Sequence, residues 1–304
     1  MNKKNGIKQE INLINLIEKY QKEDDSRAYL EGLRWPNGIT CPRCGSKGIS
    51  RVQKPRVFDC NSCRYQFSVT SGTIFHDTHL PLWKWFTAIY LMIESKKGIS
   101  ANQMKRTLGV GSYRTAWYLC HRIRAAMMNT SGKQLNGIVE VDETWIGGKK
   151  KDVGHGYKGN KVLAVGAVER EGDIVLQAIK HADRKTLHDF IHSNTASDTK
   201  AIYTDEWPAY NGIGDENTRH ETVNHSAEEW VRGDVHTNSV ENVWSLLKRS
   251  IIGSYHKVST KHLDSYLDEL EWRFNGRENP YLFRDTLMKL INSENLKYKE
   301  LVRQ

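Results

Sequence analysis

The chain of 304 residues lacks the features that would place it in a membrane or outside the cell. Its most apolar stretch, Leu80 to Ile93, contains Lys84 and is too short to span a bilayer, so it predicts a buried helix. The start is polar and Lys-rich, without the charged-then-apolar pattern of a secretory signal peptide. The sequence therefore predicts a cytoplasmic protein with no membrane partner.

Cysteines are few, and the chain contains neither an internal repeat nor a low-complexity tract. In a cytoplasmic protein the five cysteines are expected to be metal ligands or buried thiols rather than disulfide partners. Nine tryptophans and thirteen tyrosines argue against disorder. The length is sufficient for two or three domains, each able to bury its own core.

Positive charge exceeds negative charge, with a formal net charge of +9 and a sequence pI near 9.2. This balance favours a polyanionic partner, although net charge speaks to association and not to fold.

Four of the five cysteines form the most specific local motif of the chain. Cys41 and Cys44 make one C-x2-C pair, Cys60 and Cys63 make a second, and 15 residues separate the pairs. This spacing is typical of a tetrahedral structural zinc site, in which each pair chelates through a tight turn. Four thiolates leave no open coordination position, so we expect one structural Zn²⁺ rather than a catalytic ion. Cys120 lies apart and is expected to be a buried thiol.

A helix-turn-helix is predicted between residues 100 and 128. A short helix that begins at Ser100 ends in Gly109-Val110-Gly111, and a longer basic helix follows from about Ser112 to Met128. In such a motif the second helix enters the major groove, which makes its basic side chains candidate DNA contacts. The alternative is a plain helical linker with a solvated basic face. The candidate contacts are Arg114, Arg122 and Arg124.

Three acidic residues each stand beside an apolar or aromatic run. Asp142 and Asp205 belong to runs typical of strands, whereas Glu241 lies in the predicted first turn of an amphipathic helix, with 35 residues between it and Asp205. Paired divalent ions about 4 Å apart need carboxylates from separate elements, because the ions must contact both the attacking and the leaving oxygen. The pattern predicts a two-metal phosphoryl-transfer site, and Mg²⁺ is the hard ion that suits carboxylates, water and phosphate.

Segments rich in Val, Ile and Leu predict the sheet that carries these acids. Strands at 138–146, about 162–169 and about 173–180 precede a helix over 184–193 and the strand that ends in Asp205. Strand, strand, strand, helix, strand, helix is the element order of an RNase H-like domain. The predicted fold class is therefore α/β (α+β), with an RNase H-like catalytic domain preceded by a zinc ribbon and a helix-turn-helix.

Together these features resemble the DDE transposases, and in particular the insertion-sequence transposases that carry an N-terminal zinc ribbon and are related to the eukaryotic Merlin elements. The resemblance covers roughly residues 25 to 280. Besides the cysteine motif, it depends on Val141-Asp142-Glu143-Thr144, on Tyr203-Thr204-Asp205, and on His236-Thr237-Asn238-Ser239-Val240-Glu241 followed by Trp244-Ser245-Leu246-Leu247-Lys248-Arg249.

The resemblance implies an enzyme that binds the terminal inverted repeats of its element, cleaves there with water and joins the freed 3′ hydroxyl to target DNA. Asp142 and Asp205 would hold two Mg²⁺ or Mn²⁺ ions between them, and Glu241 would complete one coordination shell. The resemblance also implies a homo-oligomer on DNA and a nucleoid-associated location in a bacterium.

Basic residues follow the third acid on the same predicted helix. Lys248 lies seven residues, or two turns, after Glu241 and therefore shares its helix face. The E-x6-K/R pattern of the family implies that Lys248, with its neighbour Arg249, contacts DNA; a merely exposed lysine is the alternative. His236, just ahead of the third motif, is either a proton-transfer or phosphate-contacting group or a structural capping residue.

The identity of the third ligand has two candidates. Some members of this group use asparagine in place of the third acid, and Asn238 lies one helical turn before Glu241. We expect Glu241 to be the ligand, because a neutral amide supplies less charge. Strand alternation places Glu140 on the same face as Asp142 and Glu143 on the opposite face, so Glu140 is the expected auxiliary ligand.

Two other functions are compatible with the sequence: an RNase H-type nuclease that does not join strands, and a DNA-binding regulator derived from a transposase. All three carboxylates are present, which argues against a regulator because it has no chemical need for them. The predicted segments are a helical N-terminus (1–35), the zinc ribbon (36–75), a helical DNA-binding region (76–132), the catalytic domain (133–280) and a C-terminal helix (281–304).

Overall fold

The structure, a computed structural model, describes residues 11–52, 56–128, 132–147 and 161–303. Among the described helices, none combines the length and the apolar composition that crossing a membrane requires. The helices are α1 (Leu13–Tyr20), α2 (Glu23–Arg34), α3 (Leu82–Glu94), α4 (Ala101–Leu108), α5 (Tyr113–Met127), α6 (Arg184–Asn194), α7 (Asn238–Ser250), α8 (Leu263–Asn275), α9 (Leu282–Asn292) and α10 (Tyr298–Arg303). The strands are β1 (Ile49–Arg51), β2 (Phe58–Cys60), β3 (Gln66–Phe67), β4 (Ile138–Ile146), β5 (Val162–Glu169), β6 (Ile174–Ile179), β7 (Ala201–Asp205) and β8 (Arg219–Val223).

The chain divides into two units. The helical unit combines residues up to Met127 with residues from Glu278 onward, and the sheet unit spans Met128 to Arg277. The sequence predicted one helix in a separate C-terminal segment, whereas the structure has both α9 and α10 there and assigns them to the helical unit. Residues 1–10 of the predicted N-terminal segment lie outside the described residues.

The predicted buried helix is α3, which is apolar on nearly every side. Trp85, Phe86, Ala88, Ile89 and Met92 are almost fully buried, as expected for a helix without a continuous polar face. Helices α1, α2, α4, α5 and α9 all contact α3, so it is the centre of the helical unit.

The predicted helix-turn-helix corresponds to α4, a short turn and α5. Ser100 caps α4, since its side chain accepts a hydrogen bond from the backbone N–H of Gln103 at 3.1 Å. Gly109 ends the helix with φ +59°, the left-handed conformation that favours glycine. The second helix begins at Tyr113, one residue later than predicted, and the bounds of both helices agree closely with the sequence interpretation.

The sheet unit contains a five-stranded sheet in the order β6-β5-β4-β7-β8. Strands β4, β5 and β6 are antiparallel neighbours, whereas β7 and β8 run parallel to β4. This strand order, with α6 ahead of β7 and α7 after β8, is an RNase H-like fold, as the sequence predicted. Strand β8 was not predicted, because Arg219-His220-Glu221-Thr222 is a polar edge segment without an apolar run.

The two faces of the sheet are covered by different helices. Val139 and Val141 pack with the apolar face of α6, whereas Ala164 packs with residues of α7 and α8. Helix α7 lies so close to β5 that a Cβ at Gly166 would stand 2.8 Å from the indole of Trp244. Because Gly166 is the register partner of Asp142, this glycine lets α7 approach the sheet next to the first acidic residue.

Helix α8 covers the outer edge of the sheet. Its side chains accept hydrogen bonds from three backbone N–H groups of β6: Asp264 from Ala178, Glu271 from Leu176 and Asn275 from Ile174, at 2.8–3.0 Å. Asn275 also donates to the carbonyl of Ile174 at 2.9 Å. The polar groups of this edge strand are therefore satisfied by side chains rather than by another strand.

Candidate functional site

Asp142 and Asp205 meet through the register of two parallel strands. In the pairing of β4 with β7, Ile138 lies beside Ala201 and Glu140 beside Tyr203. Two residues further along both strands, the same register places Asp142 opposite Asp205. Side chains two residues apart point to the same face, so both carboxylates lie on the face of the sheet that α7 covers.

Glu241 joins this pair from the first turn of α7. Its charge acts on Asp142, and its Oε1 accepts a hydrogen bond from Thr237 Oγ1 at 2.9 Å. Asn238, the alternative third ligand, is the first residue of α7 and is exposed. Glu241 is exposed as well, so both candidates for the third ligand are accessible on the first turn of α7.

Glu140 fixes the N-terminus of α7 against β4. Its fully buried carboxylate accepts from the backbone N–H of Ser239 at 2.6 Å, from Ser239 Oγ at 3.0 Å and from the N–H of Val240 at 3.3 Å. Arg170 Nε donates to the same carboxylate at 2.7 Å, and His236 Nδ1 lies 3.2 Å from it. A carboxylate bound to a helix N-terminus complements the unpaired N–H groups and the dipole there.

The expectation that Glu140 is an auxiliary metal ligand is therefore wrong. Both of its oxygens are engaged by donors, so it positions α7, and with it Glu241, instead of facing an ion. His236 contacts Glu140 from the α7 side, and its backbone carbonyl accepts from Arg170 at 3.3 Å. Of the roles considered for His236, these contacts support the structural one.

The electrostatics show that negative charge at the site is not balanced by the protein. Burial, together with the charges of Glu143, Asp205 and Glu241, raises the pKa of Asp142 to about 7. Burial also raises the pKa of Asp205, although the backbone N–H of Trp207 donates to its Oδ1 at 3.0 Å and opposes the rise. Like charges held together in this way are stabilised when a cation binds between them.

Sequence reasoning missed a second acidic contribution, from Glu143. Its side chain lies on the opposite face of β4, as alternation predicts, and accepts a hydrogen bond from the hydroxyl of buried Tyr210 at 2.5 Å. Burial raises its pKa, and its charge acts on Asp142 and Asp205 through the strand. No sequence signal connects Tyr210 with Glu143, because 67 residues separate them.

His225 is a second residue that the sequence did not single out. Its Nε2 lies 3.9 Å from Glu241 Oε1, and its proximity lowers the pKa of Asp205. The carboxylate of Glu206 holds this segment, accepting from the N–H groups of His225 and Ser226 at 3.0 Å each. These hydrogen bonds and the one from Ser226 Oγ lower the pKa of Glu206 to about 2, so it stays ionised.

The carboxylates of Asp142, Asp205 and Glu241 fit the donor set of a hard divalent cation. They come from β4, β7 and α7, and their excess negative charge is the feature that a cation offsets. Among the described residues, only the cysteines bring three or more possible ligand atoms within 4.8 Å of one another. The three carboxylates are therefore spaced more widely than the ligands of a closed single-ion site.

The four cysteines form a cluster that fits a structural zinc ion. Sγ of Cys41 lies 3.6 Å from Sγ of Cys63, and Sγ of Cys44 lies 3.5 Å from Sγ of Cys60. Tetrahedral Zn–S bonds of about 2.3 Å place sulfur atoms about 3.8 Å apart, close to these separations. Hydrogen bonds from backbone N–H groups of Cys63 and Ser62 lower the pKa of the Cys60 thiol to about 6, which favours the thiolate that zinc requires.

Each cysteine pair sits on a similar tight turn. The residue after the second cysteine is left-handed in both turns: Gly45 has φ +72° and Arg64 has φ +55°. The N–H of Gly45 donates to the carbonyl of Cys41, and that of Arg64 donates to Cys60. Behind the cluster, Phe58, Phe67 and Trp35 form an aromatic core, with ring centroids 5.6–5.9 Å apart.

The candidate DNA contacts on α7 are accessible. Lys248 and Arg249 are both exposed, and Lys248 lies two turns from exposed Glu241 on the same side of the helix. Arg114 is exposed at the start of α5, with its guanidinium 3.9 Å from the ring centre of Tyr298. In a recognition helix the N-terminal residues contact the bases, so Arg114 is suitably placed.

The other two arginines of α5 are buried, which corrects the expectation that they contact DNA. Arg122 and Arg124 are only 4% and 2% exposed. Arg122 donates to the backbone carbonyls of Ile74 and His76 and to Asn295 Oδ1. Burial lowers its pKa, and its hydrogen bonds hold segments of the helical unit together. Cys120 is fully buried, in agreement with the sequence interpretation.

Two family models match the chain. Residues 134–275 match the model described as the ISXO2-like transposase domain, and residues 21–66 match the model described as the transposase zinc-ribbon domain. The first segment contains the three carboxylates of the site, and the second contains all four cysteines of the cluster.

Two curated proteins are similar to the chain. An uncharacterized protein in the transposable element ISH50 of Halobacterium salinarum is 28% identical over 279 residues, which is 84% of this chain and 92% of that protein. An uncharacterized transposase-like protein of Haemophilus influenzae is 27% identical over 100 residues, 33% of this chain and 79% of that protein. Among solved structures, the Mos1 strand transfer complex contains a chain that aligns with 68% of this chain and 75% of its own length. The identity is 12% and the TM-score is 0.30.

Proposed function

Because this chain belongs to the ISXO2-like family of DDE transposases and carries the zinc ribbon of transposases ahead of its catalytic domain, we propose that it binds the ends of an insertion sequence and catalyses strand cleavage and strand transfer there. In the first step water attacks the phosphodiester at the element end, and the 3′ hydroxyl of the element is the leaving group. In the second step that 3′ hydroxyl attacks a phosphodiester of the target DNA, and a 3′ hydroxyl of the target leaves. The protein must hold a phosphate, an attacking oxygen and a leaving oxygen in line.

The observation that carries this proposal is the convergence of three carboxylates on one face of the sheet. The β4–β7 register brings Asp142 beside Asp205, and the Glu140 contacts fix the helix that supplies Glu241. Burial, with the repulsion of the neighbouring carboxylates added to it, raises the pKa of Asp142 to about 7. Protein sites that concentrate uncompensated negative charge in this way are suited to bind cations and to work on phosphates.

The ligands of two Mg²⁺ or Mn²⁺ ions are, in this proposal, Asp142, Asp205 and Glu241. When bound, such ions lower the pKa of the attacking hydroxyl or water and stabilise the charge on the leaving oxygen. The role of the protein is positional: β4 and β7 hold the two aspartates in register, and Glu140 holds α7. Thr237 donates a hydrogen bond to Oε1 of Glu241, and His225 Nε2 lies 3.9 Å from the same oxygen.

Recognition of the terminal inverted repeats is assigned to the helical unit. Arg114 at the start of α5 and the basic side chains of the ribbon, among them Arg43 and Arg64, are exposed. Lys248 and Arg249 would contact phosphates near the cleavage site, and target DNA would follow the same catalytic face. Because these contacts are to phosphates, affinity should fall steeply as salt rises. Two or more copies would assemble to pair the two ends.

The test uses DNA from the flanks of the reading frame, with each strand end labelled. Wild type with Mg²⁺ should release the element ends and give covalently joined products, whereas an RNase H-type nuclease would give only hydrolysed ends. Asp142→Asn, Asp205→Asn and Glu241→Gln should each abolish both products while end binding remains, since each removes one negative charge at constant shape.

Asn238→Ala is the matched control for the third ligand, because Asn238 and Glu241 share the first turn of α7. We expect Asn238→Ala to retain measurable cleavage. An active Glu241→Gln with an inactive Asn238→Ala would assign the third ligand to the asparagine. Cleavage by all three acidic variants would refute the two-metal proposal.

A further inference from the structure

Trp230 is a large apolar side chain that the fold does not use for its core. It is 57% exposed, and it belongs to the segment between β8 and α7 that also carries His225. Single exposed apolar side chains are common on protein surfaces, so the significance of this indole lies in its position beside the acidic site and in the contacts that hold it there.

The indole is held in place rather than free to collapse. The imidazole of His225 covers one of its faces, with ring centres 4.7 Å apart and an angle of 31° between the planes. Asn224 stabilises the turn that precedes Trp230: its side-chain oxygen accepts a hydrogen bond from the N–H of Ala227, and its backbone carbonyl accepts one from the N–H of Glu229. Arg232 ties the far end to the carbonyl of Thr222 at 3.0 Å. With the His225 contact made, Trp230 is still 57% exposed.

The exposed indole lies close to the acidic site and is connected to it through His225. Trp230 stacks on His225, and His225 Nε2 lies 3.9 Å from Glu241 Oε1. The backbone of the same imidazole residue is bonded to Glu206, the residue after Asp205. One side chain, that of His225, therefore separates the exposed indole from the carboxylates. This separation is comparable to the distance between a DNA phosphate and a neighbouring base.

From this arrangement we propose that Trp230 is a stacking platform for an unpaired nucleobase of the substrate DNA, next to the phosphodiester that reacts. The proposal rests on the proposed function, because it takes DNA as the substrate of the acidic site. Base pairs within a duplex are already stacked on both faces, so only an unpaired or splayed base can place its ring on the indole. Stacking is tolerant of sequence, since every base has a π face.

The experiment uses the full chain without divalent ions, so that no DNA is cleaved. The probe is a duplex of about 30 base pairs with a three-nucleotide unpaired stretch containing 2-aminopurine, compared with the same duplex fully paired. Affinity is measured by anisotropy, and stacking by quenching of the 2-aminopurine fluorescence. The variants are Trp230→Ala, Trp230→Phe and the matched control Trp145→Ala, because Trp145 is 39% exposed but lies on the other face of β4 from Asp142.

Wild type should prefer the unpaired probe and quench its fluorescence on binding. Trp230→Ala should lose the quenching, and its affinity ratio for the unpaired over the paired probe should fall about tenfold. Trp230→Phe, which keeps an aromatic face, and Trp145→Ala should retain both the quenching and the affinity ratio. Unchanged quenching in Trp230→Ala, or equal loss in Trp145→Ala or Trp230→Phe, would overturn the inference while leaving the proposed function intact. If wild type bound neither probe, the proposed function would fail and the inference with it.

Discussion

Replacing Asp142 by asparagine should stabilise the metal-free sheet unit of this transposase, even though it should abolish its activity. The carboxyl has a pKa of about 7 in the folded protein, against its ordinary value of 3.8, because it is buried among other acidic groups. At 1.36 kcal/mol per pKa unit, that difference corresponds to ~4 kcal/mol at pH 8. Water reaches part of the side chain and screens the repulsion, so we expect ~2–4 kcal/mol.

The sign of the effect follows from the higher pKa in the folded state. Well below pH 3.8 the carboxyl is protonated in both states, and the two proteins should be equally stable. As pH rises to about 7, the unfolded chain ionises first, so wild type loses stability and the advantage of Asp142→Asn grows. Above that pH the difference should be constant. Added Mg²⁺ should narrow it, because a bound cation stabilises only the charged site.

The assay must report on the sheet unit alone, since the chain has two units. Urea titrations without added divalent ions, read by pulsed hydrogen–deuterium exchange of peptides from β4 and β5, meet this need. Asp189→Asn is the control, because Asp189 is an exposed carboxylate on α6 paired only with Lys185, and it should change stability by less than about 0.5 kcal/mol. If Asp142→Asn were no more stable than wild type at pH 8, the charge at Asp142 would have to be compensated already.

Three further predictions concern the supporting structure. Cys44→Ser should reduce bound zinc from about one ion per chain and speed amide exchange throughout the ribbon; unchanged metal content would exclude the cluster as the zinc site. Glu140→Gln should destabilise the first turn of α7 by ~1.5–3 kcal/mol through loss of charge-assisted hydrogen bonds, seen as faster exchange at its first amides, and unaltered exchange would contradict the capping role. Arg122→Ala should destabilise the helical unit by ~2–4 kcal/mol, because buried carbonyls lose their donor. Arg114→Ala should instead keep the stability within about 0.5 kcal/mol and lower the salt dependence of DNA binding by about one ion. Denaturation and salt titrations that gave the reverse pattern would refute the contrast between the buried and the exposed arginine.

The sequence was sufficient to predict those elements whose signal is local. The strands that carry Asp142 and Asp205 and the turn at Gly109 each follow from patterns within about ten residues, and the zinc motif follows from two short cysteine pairs with 15 residues between them. Strand β8 has no such signal, because as an edge strand it alternates polar residues and depends on β7 for its conformation. Its position could be found only from the completed sheet.

Side-chain roles that depend on tertiary contacts were harder to predict. Alternation correctly placed Glu140 and Asp142 on one face of β4. It could not predict that the N-terminus of a helix 99 residues further along the chain would donate hydrogen bonds to Glu140. For Arg122 and Arg124, basic character suggested a DNA-facing surface, whereas packing within the helical unit buries both. A charged residue on a predicted helix does not reveal whether its partner is a phosphate or a backbone carbonyl.

The way α8 closes the edge of the sheet limits how copies of this transposase can assemble. A free edge strand invites another chain to add a strand, which is a common route to both dimers and aggregates. Here the N–H groups of Ile174, Leu176 and Ala178 are already occupied by side chains of α8. In the proposed assembly on two DNA ends, the copies would therefore meet through surfaces other than this edge. A chain truncated before Leu263 should expose the backbone N–H groups of β6 and become prone to pair with a strand of another chain.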